Sequence, residues 1–462
     1  MTAPDRGTGA AARPETDGVE EALALVGRRP PEGRSRDGSG SDPERRIALP
    51  WAAARAVAQR SGRQGAAPDA RARRVPLDRA IGEVLAEPLA ALTDLPSFDT
   101  SAMDGWAVSG PGPWSVIGPL GGDNDSREGR TGRDGILAGR GACEPLPDGL
   151  AVRIATGARV PPEATAVIRS EHARTDANGH LHAQGDVVQG QDIRPRGQEC
   201  RSGDQLLPAG TPVTPAVLGL AAAAGYDELL TVPRPRVEVL VLGDELLIEG
   251  RPHDGLIRDA LGPMIGPWLR TLGAEIVATR RIADDAGALY RAVTRSTADL
   301  VITTGGTASG PVDHVHPVLH KAGAELLVDG VTVRPGHPML LAGLAPGRHL
   351  VGLPGNPLAA VSGLLTLAEP LLRALAGRRT PQPYRVPVRD EIPGHPSDTR
   401  LVPFVHRAER LVPLHFSGPA MLRGIAAADG LAVVPPGGAL PGAELEVLDL
   451  PWTAAVEGGC FT

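Results

Sequence analysis

The spacing of the hydrophobic residues changes along the chain, and each change predicts a different kind of structure. Apolar residues recur at helical spacing from Trp51 and again over 76–87, where an i, i+3, i+4, i+7 pattern indicates a helix with one buried face. Between 100 and 205, short apolar runs alternate with turn residues, a pattern typical of β-strands. From about 235, apolar strands alternate with helical segments, which predicts a parallel α/β sheet, and short strands return after about 382.

These changes predict a multidomain α/β plus β protein. A parallel α/β domain is flanked by a helical linker domain, an inserted β-rich domain and a C-terminal β domain. The first residues are rich in Gly, Pro and charged side chains, so we expect them to be disordered. The predicted boundaries are 1–45 for the disordered tail, 46–99 and 206–234 for the helical linker domain, 100–205 for the inserted β-rich domain, 235–379 for the α/β domain and 380–455 for the C-terminal β domain.

Composition narrows the class of protein. With 462 residues, 42% of them hydrophobic, the chain can bury several cores. The net charge of -7 and the lack of a basic stripe with interleaved aromatic residues argue against nucleic acid as a partner. The three cysteines are far apart and form no Cys-x-x-Cys pair, which argues against structural zinc or disulfides and favours a reducing cytoplasm. The N-terminus has no apolar signal segment and no apolar run reaches the ~18 residues of a membrane helix, so we expect a cytoplasmic protein that does not span a membrane.

Polar and glycine-rich sequences follow four predicted strands of the α/β domain. Ligands of parallel α/β sheets bind beyond the carboxyl ends of the strands, so these sequences are candidate binding residues. They are Asp244 and Glu245 after the strand VEVLVL (237–242); Gly305, Gly306, Ser309 and Asp313 after the strand DLVITT (299–304); Arg334, Pro335, Gly336 and His337 after the strand at 331–333; and Pro354, Gly355, Asn356 and Pro357 after the strand HLVGL (349–353).

The chemistry of these residues indicates phosphate and magnesium. The glycine loop at Gly305, and a helix that starts at Pro357 with Asn356 as its cap, can direct backbone N–H groups at an anion. Asp244 and Asp313 can share Mg²⁺, which prefers carboxylate and phosphate oxygens. Taken singly, a glycine loop is more often a turn, and a strand-end aspartate is more often a cap. Their coincidence in one α/β domain is what favours a binding site.

A polar loop over 98–108 is a further candidate. It gathers small and acidic residues, among them Ser101 and Asp104, ahead of a short apolar run. Such a cluster does not contribute to a hydrophobic core, so it is a candidate for binding a ligand or a metal ion.

The motifs of the chain resemble those of the MoeA/gephyrin E-domain family, the molybdopterin molybdenumtransferases. The resemblance extends over about 46–455, and it is specific because many long motifs occur in one order. They are LPSFDTSAMDGWAV (95–108), AVRIATGARVP (151–161), IRPRGQECRSGDQLLPAGT (193–211), VLVLGDEL (239–246), ITTGGTASGPVDHV (302–315), VRPGHP (333–338) and GLPGNP (352–357).

This resemblance implies an elongated four-domain subunit in a homodimer, with a cleft between the α/β domain of one subunit and the β domains around Asp104 of the other. It implies a transferase that uses Mg²⁺, inserts molybdate into adenylylated molybdopterin and releases AMP, with a molybdopterin adenylyltransferase as a further partner. Three sets of residues are implied by the motifs. The catalytic set is Asp104, Asp244 and Asp313; the metal set is Asp244, Asp259 and Asp313; and the substrate-binding set is Ser101, Thr156, Gly157, Gly305, Gly306, Ser309, Arg334, Pro335, Gly336, His337, Pro354, Gly355, Asn356 and Pro357.

The chain departs from the family pattern at several positions. Trp106 stands where the family usually has Tyr, and Gln198 where it has Glu. Lysine positions of the family hold His316, Arg334 and His337. Histidine is only partly protonated near neutral pH, and arginine differs from lysine in geometry. These departures leave an alternative open: a diverged paralogue that binds or carries molybdopterin without catalysis.

Overall fold

The computed structural model of the chain describes residues 48–64, 68–118, 135–139, 144–308 and 313–452. The predicted disordered tail and Ser309 lie outside these residues. The chain forms two compact units, and its mixture of sheets and helices confirms the predicted α/β plus β class. One unit consists of the described residues up to Arg73, of Gly82–Ala86 and of those from Val232 onwards; the other consists of Arg74–Ile81 and Glu87–Thr231.

The helices of the described residues are numbered in chain order. They are α1 (Trp51–Gln64), α2 (Pro68–Arg71), α3 (Pro215–Ala223), α4 (Leu261–Thr271), α5 (Ala286–Arg295), α6 (Val315–Lys321), α7 (Pro357–Gly363), α8 (Glu369–Leu375) and α9 (Arg423–Ala426), with short 3-10 helices at Leu77–Arg79 and Ser170–His172. A π-helical stretch, Leu364–Ala368, joins α7 to α8, so Pro357–Leu375 is one continuous helix.

The strands are likewise numbered in chain order. They are β1 (Leu49–Pro50), β2 (Arg73–Pro76), β3 (Val84–Leu85), β4 (Leu89–Ala90), β5 (Thr100–Ser101), β6 (Gly105–Val108), β7 (Trp114–Ile117), β8 (Leu150–Ile154), β9 (Ala166–Arg169), β10 (Ala173–Thr175), β11 (His180–Ala183), β12 (Ile193–Arg194), β13 (Gln205–Leu207), β14 (Glu228–Val232), β15 (Arg236–Leu242), β16 (Leu246–Leu247), β17 (Ile257–Arg258), β18 (Glu275–Ile282), β19 (Leu300–Thr304), β20 (Glu325–Asp329), β21 (Val331–Arg334), β22 (Leu340–Ala345), β23 (Arg348–Leu353), β24 (Arg385–Pro387), β25 (Ile392–Pro393), β26 (Thr399–Arg407), β27 (Arg410–Pro413), β28 (Gly430–Val434), β29 (Gly438–Ala439) and β30 (Glu444–Asp449).

The helix predicted over 76–87 is wrong. The chain forms only the short 3-10 helix Leu77–Arg79 and then β3. Gly82, with φ at +78°, lies between them in a left-handed conformation that ends helical geometry. Ile81, which the helical pattern placed on a buried face, is 45% exposed.

The α/β domain is built on a six-stranded sheet with the strand order β18-β15-β19-β23-β22-β20. β18, β15, β19 and β23 run parallel, as predicted, whereas β22 is antiparallel to both of its neighbours, β23 and the edge strand β20. The sheet is therefore mixed, because the two residues between β22 and β23 allow only a hairpin, and a hairpin is antiparallel. Thr304 pairs with Val241 on one side and with Leu353 on the other, so the central strands end at the same level.

Helices cover both faces of this sheet. Successive side chains of a strand point to opposite faces, so Val239 and Val241 enter one hydrophobic cluster and Leu240 enters another. The first cluster includes side chains of α1, α4 and the continuous helix, and the second includes side chains of α5 and α6. The carboxyl ends of the parallel strands thus emerge between two helical layers.

The continuous helix Pro357–Leu375 lies in the first cluster. By length and composition alone it could cross a membrane, but 94% of its most apolar window is buried inside the protein. Trp51 Nε1 donates to Thr366 Oγ1 at 3.1 Å, and the Arg55 guanidinium donates to Leu365 O. Both acceptors belong to the π-helical stretch, so α1 provides hydrogen-bond partners where the regular helix is interrupted.

The C-terminal β domain contains a seven-stranded sheet, β1-β21-β26-β28-β30-β24, with β27 paired to β26. β21 lies between β1 and β26 in this sheet. The prediction that Arg334–His337 follow a strand of the α/β sheet is therefore wrong. The cause is the pairing of β21 with Leu49–Pro50, which is remote in sequence and leaves no trace in the local pattern.

The inserted β-rich region contains a six-stranded sheet with the order β10-β11-β7-β8-β6-β9 and a smaller sheet formed by β5 with β12. β4 pairs with β13 where the chain enters and leaves this region. Gly105, the first residue of β6, pairs with Ile154 on one side and Arg169 on the other. A methyl group on Gly105 would lie 1.9 Å from Ile168 O, so only glycine fits there. This close approach fixes the backbone directly after Asp104.

Candidate functional site

The loops after three neighbouring strands, β15, β19 and β23, start side by side at the carboxyl edge of the α/β sheet, and the Gly305 loop contacts the ends of the other two strands. The backbone N–H of Gly305 donates to Leu353 O at 2.8 Å. A methyl group added to Gly305 would lie 3.5 Å from Leu242 O, and one added to Gly355 would lie 3.7 Å from the Cα atom of Gly305. Three of the four loops selected from the sequence are thus brought together, with the Gly305 loop in the middle.

The glycine loop depends on a backbone conformation that favours glycine. Gly305 and Gly306 have φ angles of +84° and +69°. A methyl group on Gly306 would lie 3.2 Å from both Leu242 Cδ1 and Val315 Cγ2, and Gly306 O accepts from the Val315 N–H at 3.4 Å. Val315 begins α6, so the loop lies close to the start of the helix that Asp313 precedes.

Two charged residues that the sequence reasoning missed lie beside Asp244. Asp284 Oδ2 accepts from the backbone N–H of Asp244 at 3.2 Å, and the Arg281 guanidinium donates to Gly243 O at 3.4 Å. Asp284 follows β18, so the strand-end argument that selected Asp244 could also have found it. Arg281 lies within the strand and carries no such signal.

The three carboxylates predicted to bind a metal ion do not gather into a cluster. In the described part of the chain, no group of three or more His, Cys, Asp or Glu side chains could hold an ion. Asp259 Oδ1 instead accepts from the Gly262 N–H at 2.9 Å, in the first turn of α4. Mg²⁺ usually binds one or two carboxylates together with water and substrate phosphates. The oxygen donors of Asp244 and Asp313 therefore suit this ion without a preformed cage.

The start of the helix at Pro357 differs from the prediction. Asn356 occupies the cap position, but its side chain forms no cap hydrogen bond. Pro419 O instead accepts from the backbone N–H of Leu358 at 2.9 Å and of Ala359 at 3.3 Å, while Pro357 has no N–H to offer. The helix donors that the sequence assigned to an anion are thus bonded to Pro419, a residue that no local pattern singles out.

The loop Arg334–His337 reaches the α/β domain although its strand belongs to the C-terminal sheet. A methyl group on Gly336 would lie 3.1 Å from Ala359 O and 3.1 Å from Ser362 Cβ, both in α7. Gly336 has φ at +117°, which also favours glycine. The loop therefore packs against the helix that Pro357 begins.

The side chains at three family lysine positions all bond to groups of the chain itself. The contacts are His316 Nε2 with Asp329 Oδ1 at 2.7 Å, Arg334 Nε with Asp398 Oδ2 at 2.8 Å, and His337 Nδ1 with Val331 O at 2.8 Å. Lys321 is the only lysine of the sequence, in which Lys and Arg together number 47. The replacement of lysine therefore extends over the whole chain and is not confined to these loops.

The candidate residues of the inserted β-rich region form a cluster of their own. Asp104 Oδ1 accepts from the Thr156 N–H at 2.7 Å, and Ser101 O accepts from the Gly157 N–H at 2.8 Å. Ser101 Oγ donates to Met103 O at 2.6 Å. These bonds bring together two motifs that are about fifty residues apart in the sequence.

Hydrogen bonds hold the pKa of the Asp104 carboxyl below its ordinary value. The backbone N–H of Thr156 has the largest effect, followed by the Thr156 side chain; partial desolvation opposes them, and the charge of Arg153 adds a smaller contribution. The Asp104 side chain is exposed. It therefore offers an anionic carboxylate to solvent at neutral pH.

Three family models match consecutive parts of the chain. The MoeA N-terminal region (domain I and II) matches residues 49–225, the probable molybdopterin binding domain matches 238–374, and the MoeA C-terminal region (domain IV) matches 385–450. The three loops at the carboxyl ends of β15, β19 and β23 lie in the second match, and Asp104 lies in the first.

Curated relatives and solved structures agree with these matches. The molybdopterin molybdenumtransferase 2 of Mycobacterium tuberculosis is 35% identical over 399 residues, which cover 81% of this chain and 94% of that protein. The molybdopterin molybdenumtransferase of Staphylococcus aureus is 31% identical over 306 residues, which cover 66% of this chain and 71% of that protein. Two structures of the molybdopterin biosynthesis moeA protein from Pyrococcus horikoshii share the fold, with TM-scores of 0.67 and 0.65 at 24% and 21% identity, over 87% of this chain and 99% of each of those chains. The chain thus belongs to the molybdopterin molybdenumtransferase family, transferases of molybdenum cofactor biosynthesis.

Proposed function

We propose that this chain inserts molybdate into adenylylated molybdopterin and releases AMP. The observation that carries the proposal is the contact of the Gly305 loop with the end of β15 and with the loop after β23, inside the segment matched by the molybdopterin binding model. Loops that meet at the carboxyl edge of a parallel sheet form the usual ligand site of this kind of fold. The proposal includes Mg²⁺ as cofactor, a homodimer, a cytoplasmic location, and a molybdopterin adenylyltransferase that supplies the substrate.

In this proposal the glycine loop binds phosphate. The Gly305 N–H is bonded to Leu353 O, so the donor that we assign to the phosphate is the N–H of Gly306. The left-handed backbone and the lack of side chains at Gly305 and Gly306 let a phosphate approach closely. Pro354 and Gly355 form the adjoining wall. The Asn356 side chain, which forms no cap bond, would donate to the same ligand.

Asp244 and Asp313 would hold Mg²⁺ in this proposal. Their carboxylates supply the hard oxygen ligands that the ion prefers, and phosphate oxygens of the substrate would complete its shell. When bound, Mg²⁺ supplies positive charge that offsets the negative charge on the phosphates. One carboxylate oxygen of Asp259 accepts a hydrogen bond from the Gly262 N–H, so Asp259 would bind the metal ion through its second oxygen. Positioning and electrostatic stabilisation would supply most of the rate.

Arg334 and His337 would bind molybdate. Arg334 is always charged, and 52% of its side chain is exposed. His337 already uses Nδ1 to donate to Val331 O, so it can donate to an oxyanion only when Nε2 also carries a proton. Pro335 and Gly336 would hold the loop against α7.

Asp104 would face the substrate from the second subunit of the homodimer. Its carboxylate is anionic and exposed, and Thr156 fixes its position through the backbone N–H. Ser101 and Gly157 belong to the same hydrogen-bonded cluster and would shape this wall. An anion so placed can orient a hydrogen-bond donor of the substrate.

A second candidate is a paralogue that binds or carries molybdopterin without turnover. The observation in its favour is that His316, Arg334 and His337, which replace family lysines, all bond within the chain. The single lysine of the sequence argues against it, because the replacements then follow a bias of the whole chain. We therefore prefer the transferase to the non-catalytic paralogue as the proposed function.

Complementation of a strain that lacks the transferase separates the two candidates. We expect the chain to restore molybdoenzyme activity and its Asp244→Asn variant to fail. Failed complementation by a well-expressed chain that still binds molybdopterin would support the carrier and contradict the transferase.

A further inference from the structure

Two arginines lie side by side on β21 and β26. Arg334 and Arg400 are register partners on these parallel strands. Arg400 donates to Pro393 O, and burial lowers the pKa of its guanidinium. Arg334 instead donates from Nε to Asp398 Oδ2 at 2.8 Å, while half of its side chain stays in solvent. The two guanidinium groups thus have different surroundings, and that of Arg334 is the one accessible to a ligand from solvent.

Asp398 is held more firmly than the arginine that it contacts. Its side chain is only 10% exposed, and Oδ1 accepts from Ser397 Oγ at 3.0 Å while Oδ2 accepts from Arg334. Burial acts to raise the pKa of Asp398, but the hydrogen bonds from Arg334 and Ser397, with the positive charge of Arg334, outweigh it and leave the pKa below its ordinary value. Asp398 is therefore an anion whose two oxygens both have fixed partners.

The backbone at Asp398 is also fixed, by a histidine at the start of the same turn. The N–H groups of Ser397 and Asp398 donate to His395 Nδ1 at 3.3 and 3.0 Å. An amide N–H only donates, so Nδ1 is the acceptor and the ring proton is on Nε2. The turn thus sets the place of the Asp398 carboxylate before any ligand binds.

We propose that Asp398 is a positioning residue for Arg334 and thereby for a tetrahedral oxyanion; this inference rests on the proposed function. A bond at Nε fixes the plane of the guanidinium group and leaves both Nη groups, which form no hydrogen bond to the described residues, for a ligand. Four N–H donors in one fixed plane suit an oxyanion, and less side-chain entropy is lost on binding when the plane is already held. Free molybdate and the phosphate of the adenylylated substrate share this chemistry.

A double-mutant cycle tests the proposal by equilibrium binding of molybdate alone. We expect Asp398→Asn to weaken binding about tenfold, and Asp398→Glu to recover part of the loss, because the anion returns in a slightly longer side chain. In an Arg334→Lys background, Asp398→Asn should have about twofold effect or less, since lysine has no Nε–H fork to be held. Inorganic phosphate in place of molybdate identifies which oxyanion the arginine selects.

Asp390→Asn is the matched control. Asp390 also contacts an arginine of the C-terminal domain, Arg389 at 2.7 Å, but both side chains are largely exposed. We expect its molybdate affinity to equal that of the unaltered chain. Thermal unfolding of all variants, followed in parallel, reports any purely structural loss, which would be the same with and without the Arg334→Lys substitution.

The outcomes separate this inference from the proposed function. Additive effects of the two substitutions, unchanged binding of both oxyanions in Asp398→Asn, or binding of neither molybdate nor phosphate by the unaltered chain would each overturn it. If the two substitutions are coupled more strongly in phosphate binding than in molybdate binding, Asp398 still positions Arg334, and the ligand of Arg334 is the substrate phosphate. Coupled binding without AMP release would contradict only the proposed function, whereas AMP release with no effect of Asp398 would contradict only the positioning.

Discussion

Asp104 Oδ1 lies 2.7 Å from the backbone nitrogen of Thr156, and this bond fixes an exposed carboxylate at the edge of the inserted β-rich region. An asparagine oxygen can accept the same bond, so Asp104→Asn should fold as the unaltered chain does. It removes the negative charge, however, and we expect AMP release to fall by at least about 100-fold. Steady-state AMP release, with circular dichroism for the fold, measures both.

Asp176→Asn is the control for this substitution. Asp176 also accepts backbone N–H bonds in the same region, from Asn178 and His180, each at 2.9 Å, but the proposed function gives it no role. Its rate of AMP release should not change. Equal rates for Asp104→Asn and the unaltered chain would remove Asp104 from the site.

Gly306 and Gly323 provide a matched pair in the α/β domain. Their φ angles are +69° and +68°, so alanine costs about 1–3 kcal/mol of backbone strain at either position. A methyl group on Gly323 meets nothing within 4 Å, whereas one on Gly306 meets Leu242 and Val315 at 3.2 Å. Gly306→Ala should therefore be the less stable variant by about 1 kcal/mol or more, and the only one of the two with impaired AMP release.

Urea unfolding and AMP release of the two glycine variants check this expectation. Equal stabilities would mean that the neighbours of Gly306 adjust without cost. Full activity in a folded Gly306→Ala protein would contradict the assignment of phosphate to the glycine loop.

The bond from Trp51 Nε1 to Thr366 Oγ1 links α1 to the π-helical stretch of the core helix. Trp51→Phe leaves a buried hydroxyl without its donor, and Thr366→Val leaves a buried indole N–H without its acceptor. Each should lower the free energy of unfolding by about 1–3 kcal/mol. The double variant should lose less than the sum of the two, because neither partner is then left unpaired. Strict additivity in urea unfolding would show that the bond contributes little.

The pKa of Asp176 is lowered from 3.8 to about 2, chiefly by the backbone N–H of His180 and then by the His182 side chain. A group with a depressed folded-state pKa stabilises the protein above the unfolded-state value, and this stabilisation is lost as the pH falls towards 2. The stability difference between the unaltered chain and Asp176→Asn should therefore be present in full above about pH 4 and shrink between about pH 4 and 2. Urea unfolding at several pH values measures it, and a constant difference would refute the assigned cause.

Much of the α/β domain is predictable from the sequence because its signals are local. Apolar strands such as the one before Asp244 alternate with helices, and the strand-end rule then selects Gly305 and Gly355 before their contact is known. The helix predicted over 76–87 failed for a reason that is also local, since Gly82 adopts a left-handed conformation that outweighs the apolar spacing. The reversed direction of β22 followed from the two-residue connection between β22 and β23, which the strand pattern did not resolve.

The missed features depend on contacts between residues remote in sequence. β21 joins the C-terminal sheet because it pairs with Leu49–Pro50, and the start of α7 is bonded to Pro419 across some sixty residues. The partnership of Arg334 with Asp398 is of the same kind. Motif resemblance could name the arginine as a site residue, but only the folded chain reveals what holds it.

The most direct test of the proposed function is AMP release from adenylylated molybdopterin, measured with and without molybdate in the presence of Mg²⁺. We expect the purified, folded chain to release AMP, molybdate to stimulate the release, and Asp104→Asn to lower it by at least about 100-fold. Binding of the adenylylated substrate by the folded protein, with no release of AMP at any molybdate concentration, would contradict it.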